Sequence, residues 1–97
     1  MSNVFAKALS STVREIRFVL SQSGSASSGT RKFVLANYPV IKKHNQDLPV
    51  LIREAEGVPA RAFARFERGV EKSVELDDLS SAEVESEVAQ LLGVHKK

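Results

Sequence analysis

Residues 13–20 read VREIRFVL. Ile16, Phe18 and Leu20 fall on one side of an extended chain, with Glu15 and Arg17 on the other. That is the two-residue period of a strand with one face buried. Val13 and Val19 make the second face partly apolar. A second compact apolar run, LPVLIRE, occupies residues 48–54. Leu48, Val50, Leu51 and Ile52 do not alternate with polar residues, and the run predicts a strand buried on both faces. Between the two, residues 29–44 predict a helix, with Phe33, Val34, Tyr38 and Ile41 at helical spacing and Arg31, Lys32, Lys42 and Lys43 outside. Pro39 removes one hydrogen bond and disfavours helical geometry at Tyr38, which predicts a kink or two short helices meeting there. A strand, a helix and a strand in this order predict a right-handed βαβ unit with a parallel pair.

The remaining segments extend that unit. After a turn at Glu56 to Pro59, RAFARFE (61–67) and KSVEL (72–76) are separated only by a turn containing Gly69, the arrangement of an antiparallel hairpin. Ser80 and Glu83 have the spacing of a capping box, in which each side chain meets the other residue's backbone amide. Val84, Val88, Leu91 and Leu92 then form one apolar stripe, closed by Gly93. The tail HKK, containing His95, reads as solvated. The expected fold is α/β and thioredoxin-like: order β-α-β-β-β-α, a small mixed four-stranded sheet flanked by helices. Residues 1–97 read as a single domain, with 1–12 a poorly ordered or extended N-terminal segment.

Composition narrows the chemistry. A chain of 97 residues, 42% apolar and 27% charged, suits one soluble domain with a modest core. No apolar run approaches the roughly 20 residues that a membrane-spanning helix needs, and no secretory signal is visible. There is no cysteine, so disulfides and thiolate chemistry are excluded. His44 and His95 lie far apart without a ligand-spaced companion, so no metal site is expected. The net charge of +2 is far from the dense basic face of a nucleic-acid binder. From Met1 to Arg14 there are bases, serines and threonines but no acid, a composition shared by uncleaved mitochondrial targeting segments and by frayed polar termini.

The stretch SGSASSGTR (23–31) has two glycines, Gly24 and Gly29, at the spacing of a phosphate-binding loop. The pattern then demands lysine and a hydroxyl residue; here Thr30 and Arg31 follow, so nucleotide binding is not expected. In a thioredoxin-like fold this loop would hold the active dithiol. It offers Ser21, Ser23, Ser25, Ser27 and Ser28, which cannot cycle between thiol and disulfide. A polar loop that caps a helix is the expected role; an anion on the helix N-terminus and serine phosphorylation are the alternatives.

Three stretches, VREIRFVLSQ (13–22), VIKKHNQDLPVLIRE (40–54) and AFARFERG (62–69), together resemble one family. It is the small thioredoxin-like accessory subunit of mitochondrial NADH:ubiquinone oxidoreductase, respiratory complex I, of the B8 type. The resemblance runs over residues 12–92. Its most specific part is Lys42, Lys43, Asn45, Asp47, Leu48, Pro49, Val50, Leu51, Ile52, Arg53 and Glu54. It implies a subunit at the inner membrane, peripheral and on the matrix side, packed on the peripheral arm against the large iron–sulfur subunit. It implies no cofactor, no catalytic residue of its own, no nucleic acid and no insertion into the bilayer; its role would be assembly or stability of the arm. Family members can carry cysteines at the positions of Ser21 and Ala55, so a redox-sensing role does not transfer here. Pro59 sits near the cis-proline position of thioredoxin-like proteins.

Arg14, Glu15, Arg17, Arg53, Glu54 and Arg65 are charges on strands or at strand ends, and they form the candidate partner interface. Arginine forks suit partner carboxylates and are enriched among interface anchors. The competing reading is intramolecular pairing, such as Arg17 with Glu54. Tyr38 and Phe63 read as core or core-edge residues. The rival function is that of a mitochondrial ribosomal protein of the same fold, binding rRNA through Arg31, Lys32, Lys42, Lys43 and Arg61. Against it stand twelve acids offsetting fourteen bases.

Overall fold

The computed structural model describes residues 4–94; His95 and the rest of the tail lie outside them. Strand β1 spans Val13–Leu20, helix α1 Ser28–His44, β2 Val50–Glu54, β3 Arg61–Phe66, β4 Glu71–Glu75 and helix α2 Ser81–Leu92. The expected β-α-β-β-β-α order is present. The four strands form one sheet in the order β2-β1-β3-β4. β1 runs parallel to β2 and antiparallel to β3, and β3 pairs antiparallel with β4.

The alternation of β1 sorts residues between the two sheet faces as the sequence suggests. Ile16, Phe18 and Leu20 are buried, and their register partners Val50, Ala62 and Ala64 are buried on the same side. The ladder slips between Val13 and Glu15, leaving Arg14 as the extra residue. This bulge re-phases the strand, so Val13 is buried although it lies three residues from Ile16. Both helices cover this one face. Phe33 of α1 sits 6.0 Å from Phe18, ring centre to ring centre, and Val84, Val88 and Leu92 of α2 join the same core. The other face carries no helix.

α2 is built as its sequence predicts. The Ser80 side chain accepts from the Glu83 N–H, the Glu83 carboxylate accepts from the Ser80 N–H, and Gly93 closes the helix at φ 73°.

Several expectations are corrected. β2 is an edge strand, and only Val50 is buried; Leu51 and Ile52 are 50% and 39% exposed. An unbroken apolar run predicts burial on both faces only for an interior strand, and here the sheet puts β1 and β3 inside. α1 is one continuous helix through Pro39. Leu35 and Pro39 are both exposed, so the carbonyl that loses its partner lies toward solvent. The buried stripe of α1 runs through Asn37 instead of Tyr38: the Asn37 amide donates to the Phe33 carbonyl at 3.0 Å, while Tyr38 is 37% exposed. The peptide bonds among the described residues are trans, that of Pro59 included.

Part of the N-terminal segment packs against α1. Phe5 is fully buried, edge-on to Phe33 at 5.5 Å. Asn45, at the end of α1, ties the segment down: its Oδ1 accepts from the Leu9 N–H at 2.8 Å, and its Nδ2 donates to the carbonyls of Lys7 and Ile41. Val4 joins Phe5 in the core and Leu9 packs against it, so apolar burial and the Asn45 hydrogen bonds together hold this segment.

Candidate partner interface on the open sheet face

The face opposite the helices displays Glu15, Arg17 and Val19 of β1, Leu51 and Arg53 of β2, Arg61, Phe63 and Arg65 of β3, and Glu71, Ser73 and Glu75 of β4. The register puts these residues side by side in rows across the sheet. They form a lattice. Glu15 lies at its centre, with its side chain only 16% exposed. One Glu15 oxygen forms an ion pair with Arg17 Nε at 2.9 Å, and the other accepts from Arg65 Nη2 at 2.9 Å. Arg17 also donates through Nη2 to Glu71 at 2.6 Å, and its guanidinium lies 5.3 Å above the Phe63 ring. Farther along the same rows Arg61 meets Glu75 at 3.7 Å.

Planar guanidinium forks suit this arrangement because they hold two carboxylates and a ring at once. The gain in fold stability is small, since most members are more than 40% exposed and exposed pairs are worth about 0–1 kcal/mol. Long side chains already paired in such a lattice have less rotamer freedom left to lose than free ones.

The six expected interface residues divide into three groups. Glu15, Arg17 and Arg65 come together in the lattice. Arg14 stands apart at the bulge, 3.9 Å from Glu67. Arg53 and Glu54 are exposed on β2 and make no ion pair among the described residues. The pairing of Arg17 with Glu54 does not occur: the register sets Arg17 beside Leu51, and Arg17 turns to Glu15 and Glu71 instead. Phe63 is not a core residue but the floor under Arg17. Glu71, Glu75 and Phe63 are the members that sequence reasoning missed, and Arg61 was read only as a base for rRNA. Glu71 falls at a predicted turn, and only the alternation of RAFARF across from KSVEL could have placed Phe63 on the charged side.

The serine-rich loop is closed on itself. Residues 25–27 form one 3-10 turn before α1. The Ser27 hydroxyl accepts from the Ser21 N–H at 3.0 Å, and the Ser21 hydroxyl from the Gly24 N–H at 2.9 Å. Arg31 reaches back to donate to the carbonyls of Ser21 and Gly24 at 2.9 and 2.8 Å. Gly29 has a packing role: a Cβ there would lie 2.0 Å from the Leu79 carbonyl oxygen. The glycine spacing thus reflects close packing of α1 against the start of α2, not a phosphate cradle. Leu20 and Glu54 are register partners, so Ser21 and Ala55 follow side by side at the ends of β1 and β2.

The basic residues of the rRNA reading are mostly engaged. Arg31 is held by its two carbonyls and Arg61 faces Glu75. Lys42 donates to the carbonyls of Gln46 and Leu48, closing the end of α1. No helix among the described residues is long and apolar enough to cross a membrane, and no group of three or more metal-ligating side chains is found among them.

The mitochondrial ribosomal protein L51 / S25 / CI-B8 domain matches residues 30–81. The chain is 45% identical over 80 residues to the NADH-ubiquinone oxidoreductase 10.5 kDa subunit of Neurospora crassa, covering 82% of this chain and 85% of that one. It is 43% identical to NADH dehydrogenase (ubiquinone) 1 alpha subcomplex subunit 2 of Arabidopsis thaliana, over 78% of each chain. The protein of the same name from Mus musculus is also 43% identical, over 74% of this chain and 73% of its own. With more than half its length matched by the domain and most of it by these subunits, the chain belongs to the L51 / S25 / CI-B8 family, alongside the NADH-ubiquinone oxidoreductase subunits of that family.

Proposed function

We propose that this chain is a non-catalytic accessory subunit of mitochondrial complex I that supports assembly or stability of the matrix arm through its open sheet face. The observation that carries the reading is its 43–45% identity, over most of both chains, to three proteins named as subunits of that enzyme. The geometry supports it. A sheet face with a pre-set lattice of arginines and glutamates around Phe63 is a surface suited to a protein partner, where arginine and aromatic anchors dominate. The partner would be the large iron–sulfur subunit, on the matrix side of the inner-membrane complex. Of the five bases of the ribosomal reading, only Lys32 and Lys43 remain without a partner among the described residues, too few for a phosphate-binding face.

The test is purification of the tagged chain from mitochondria in mild detergent, with mass spectrometry of what accompanies it. Recovery of NADH-oxidising and iron–sulfur subunits supports the reading. Recovery of rRNA and ribosomal proteins overturns it.

A further inference from the structure

The parallel ladder between β1 and β2 has a definite phase. At one end the Ile16 N–H donates to the Pro49 carbonyl at 3.0 Å; at the other the Ala55 N–H donates to the Leu20 carbonyl at 3.1 Å. In a parallel pair, alternate residues of a strand turn their backbone groups to the neighbour. Pro49, Leu51, Arg53 and Ala55 therefore face β1, and the N–H and C=O groups of Val50, Ile52 and Glu54 face outward. β2 has no neighbour on that side. None of these outward groups has a hydrogen-bond partner among the described residues.

An edge of this kind invites pairing unless it is blunted by charge, proline or a bulge. The other edge, β4, is blunted: it reads EKSVE. β2 has an apolar centre instead, with Leu51 exposed on the open face and Ile52 on the opposite face. Arg53 lies beside Leu51 on the open face, and among the described residues it makes no ion pair, whereas Arg17, Arg61 and Arg65 on the same face all meet glutamates. A cavity of about 360 Å³ at β1 and β2 is lined by Arg17, Phe18, Val19, Leu51, Ile52 and Arg53. An apolar side chain entering it would leave Arg53 free to meet a carboxylate.

We propose that β2 is a strand-addition site: an extended segment of a neighbouring subunit pairs with the outward backbone of Val50, Ile52 and Glu54, seats an apolar side chain beside Leu51 and sets an acidic one against Arg53. This mode of docking rests on the complex I reading above. Main-chain bonds supply affinity in such pairing, and alternate side chains supply selectivity.

The phase of the ladder supplies the test. Ile52→Pro removes an N–H that bonds to nothing in β1, so it blocks the added strand while keeping the sheet. Arg53→Glu reverses the unpaired charge without touching the backbone. Each is expressed, beside wild type and a Lys72→Glu control on β4, in cells lacking the endogenous subunit. Incorporation into complex I is read on native gels, and a photo-crosslinker at Leu51 reports the neighbour. The expected result is about a tenfold loss of incorporation for Ile52→Pro and Arg53→Glu, none for Lys72→Glu, and an adduct to an acidic, extended segment of another subunit. Wild-type chain that never enters complex I overturns the functional reading itself. Wild-type chain that enters, with Arg53→Glu entering equally, overturns strand addition alone, as does an adduct to a second copy of this chain, to a helical surface or to nothing. If Ile52→Pro fails to fold, Arg53→Glu and the crosslink decide.

Discussion

The sheet has one face packed under both helices and one left open. On the helix side, the side chains of Ile16, Phe18, Ala62 and Ala64 are at most 2% exposed and fit against two helices. On the other side the same strands present Glu15, Arg17 and Arg65, charged groups around the Phe63 ring whose contacts are good and whose energetic return in water is small. The strands are shared, so the difference lies in what each side asks of its residues. The covered face requires volume and shape, which decide stability to within a methylene. The open face fixes the direction of its charges, which matters little until a second surface arrives.

Two phenylalanines offer the largest contrast. Phe33 is 1% exposed and touches both Phe5 and Phe18. Phe33→Ala is expected to cost about 3–5 kcal/mol, much of the stability of a domain this size. Phe63→Ala, on the open face, loses a partly exposed ring and one stacking contact, and is expected to cost about 1 kcal/mol. Urea unfolding of the two variants followed by circular dichroism measures both. Equal costs would mean that the open face is a second core.

Gly29→Ala tests the covered side where backbone meets backbone. Alanine is the better helix former by about 1 kcal/mol. Its methyl would nonetheless enter the space of the Leu79 carbonyl, which cannot rotate away. Forcing α1 from the start of α2 is expected to outweigh the propensity gain, for a net loss of about 1–2 kcal/mol in the same assay. A stabilised variant would show that the two helices can separate freely.

Thr30→Val has the opposite sign. Its hydroxyl is the one buried side-chain polar atom without a hydrogen bond among the described residues. Valine keeps the shape and removes the orphan, so a gain of about 1 kcal/mol is expected, seen as a higher melting temperature.

The covered face was legible in the sequence to a degree that the open one was not. Period-2 alternation in VREIRFVL and the capping box at Ser80 are local signals, and both describe the elements that form. What failed needed information from elsewhere in the fold. LPVLIRE has the composition of an interior strand, and nothing within it reveals that the sheet ends there. Phe5 lies in a short segment without strand or helix, and its burial rests on contact with Phe33, which only the assembled core supplies. In the candidate interface, Glu15, Arg17 and Arg65 were found because they alternate out of buried strands. Glu71 was not, because its role comes from hairpin register across β3, a property of pairing and not of the residue.

Glu71→Gln is the smallest change and the sharpest probe of the open face. The substitution keeps the size of the side chain and removes its charge, so Arg17 loses one of its two carboxylates while Glu15 still holds it at 2.9 Å. With side chains 43% and 44% exposed, the pair is screened, and stability should fall by no more than about 0.5 kcal/mol. That difference should vanish when sodium chloride is raised to roughly 1 M, where the Debye length shrinks to about 3 Å. Incorporation into complex I should respond more strongly, because a guanidinium released from its lattice must be re-ordered when a partner covers it. A variant that loses stability but assembles as wild type would assign the lattice to the fold. A variant that keeps its stability and assembles poorly would assign it to the interface, and the two sheet faces would then differ in purpose as they differ in chemistry.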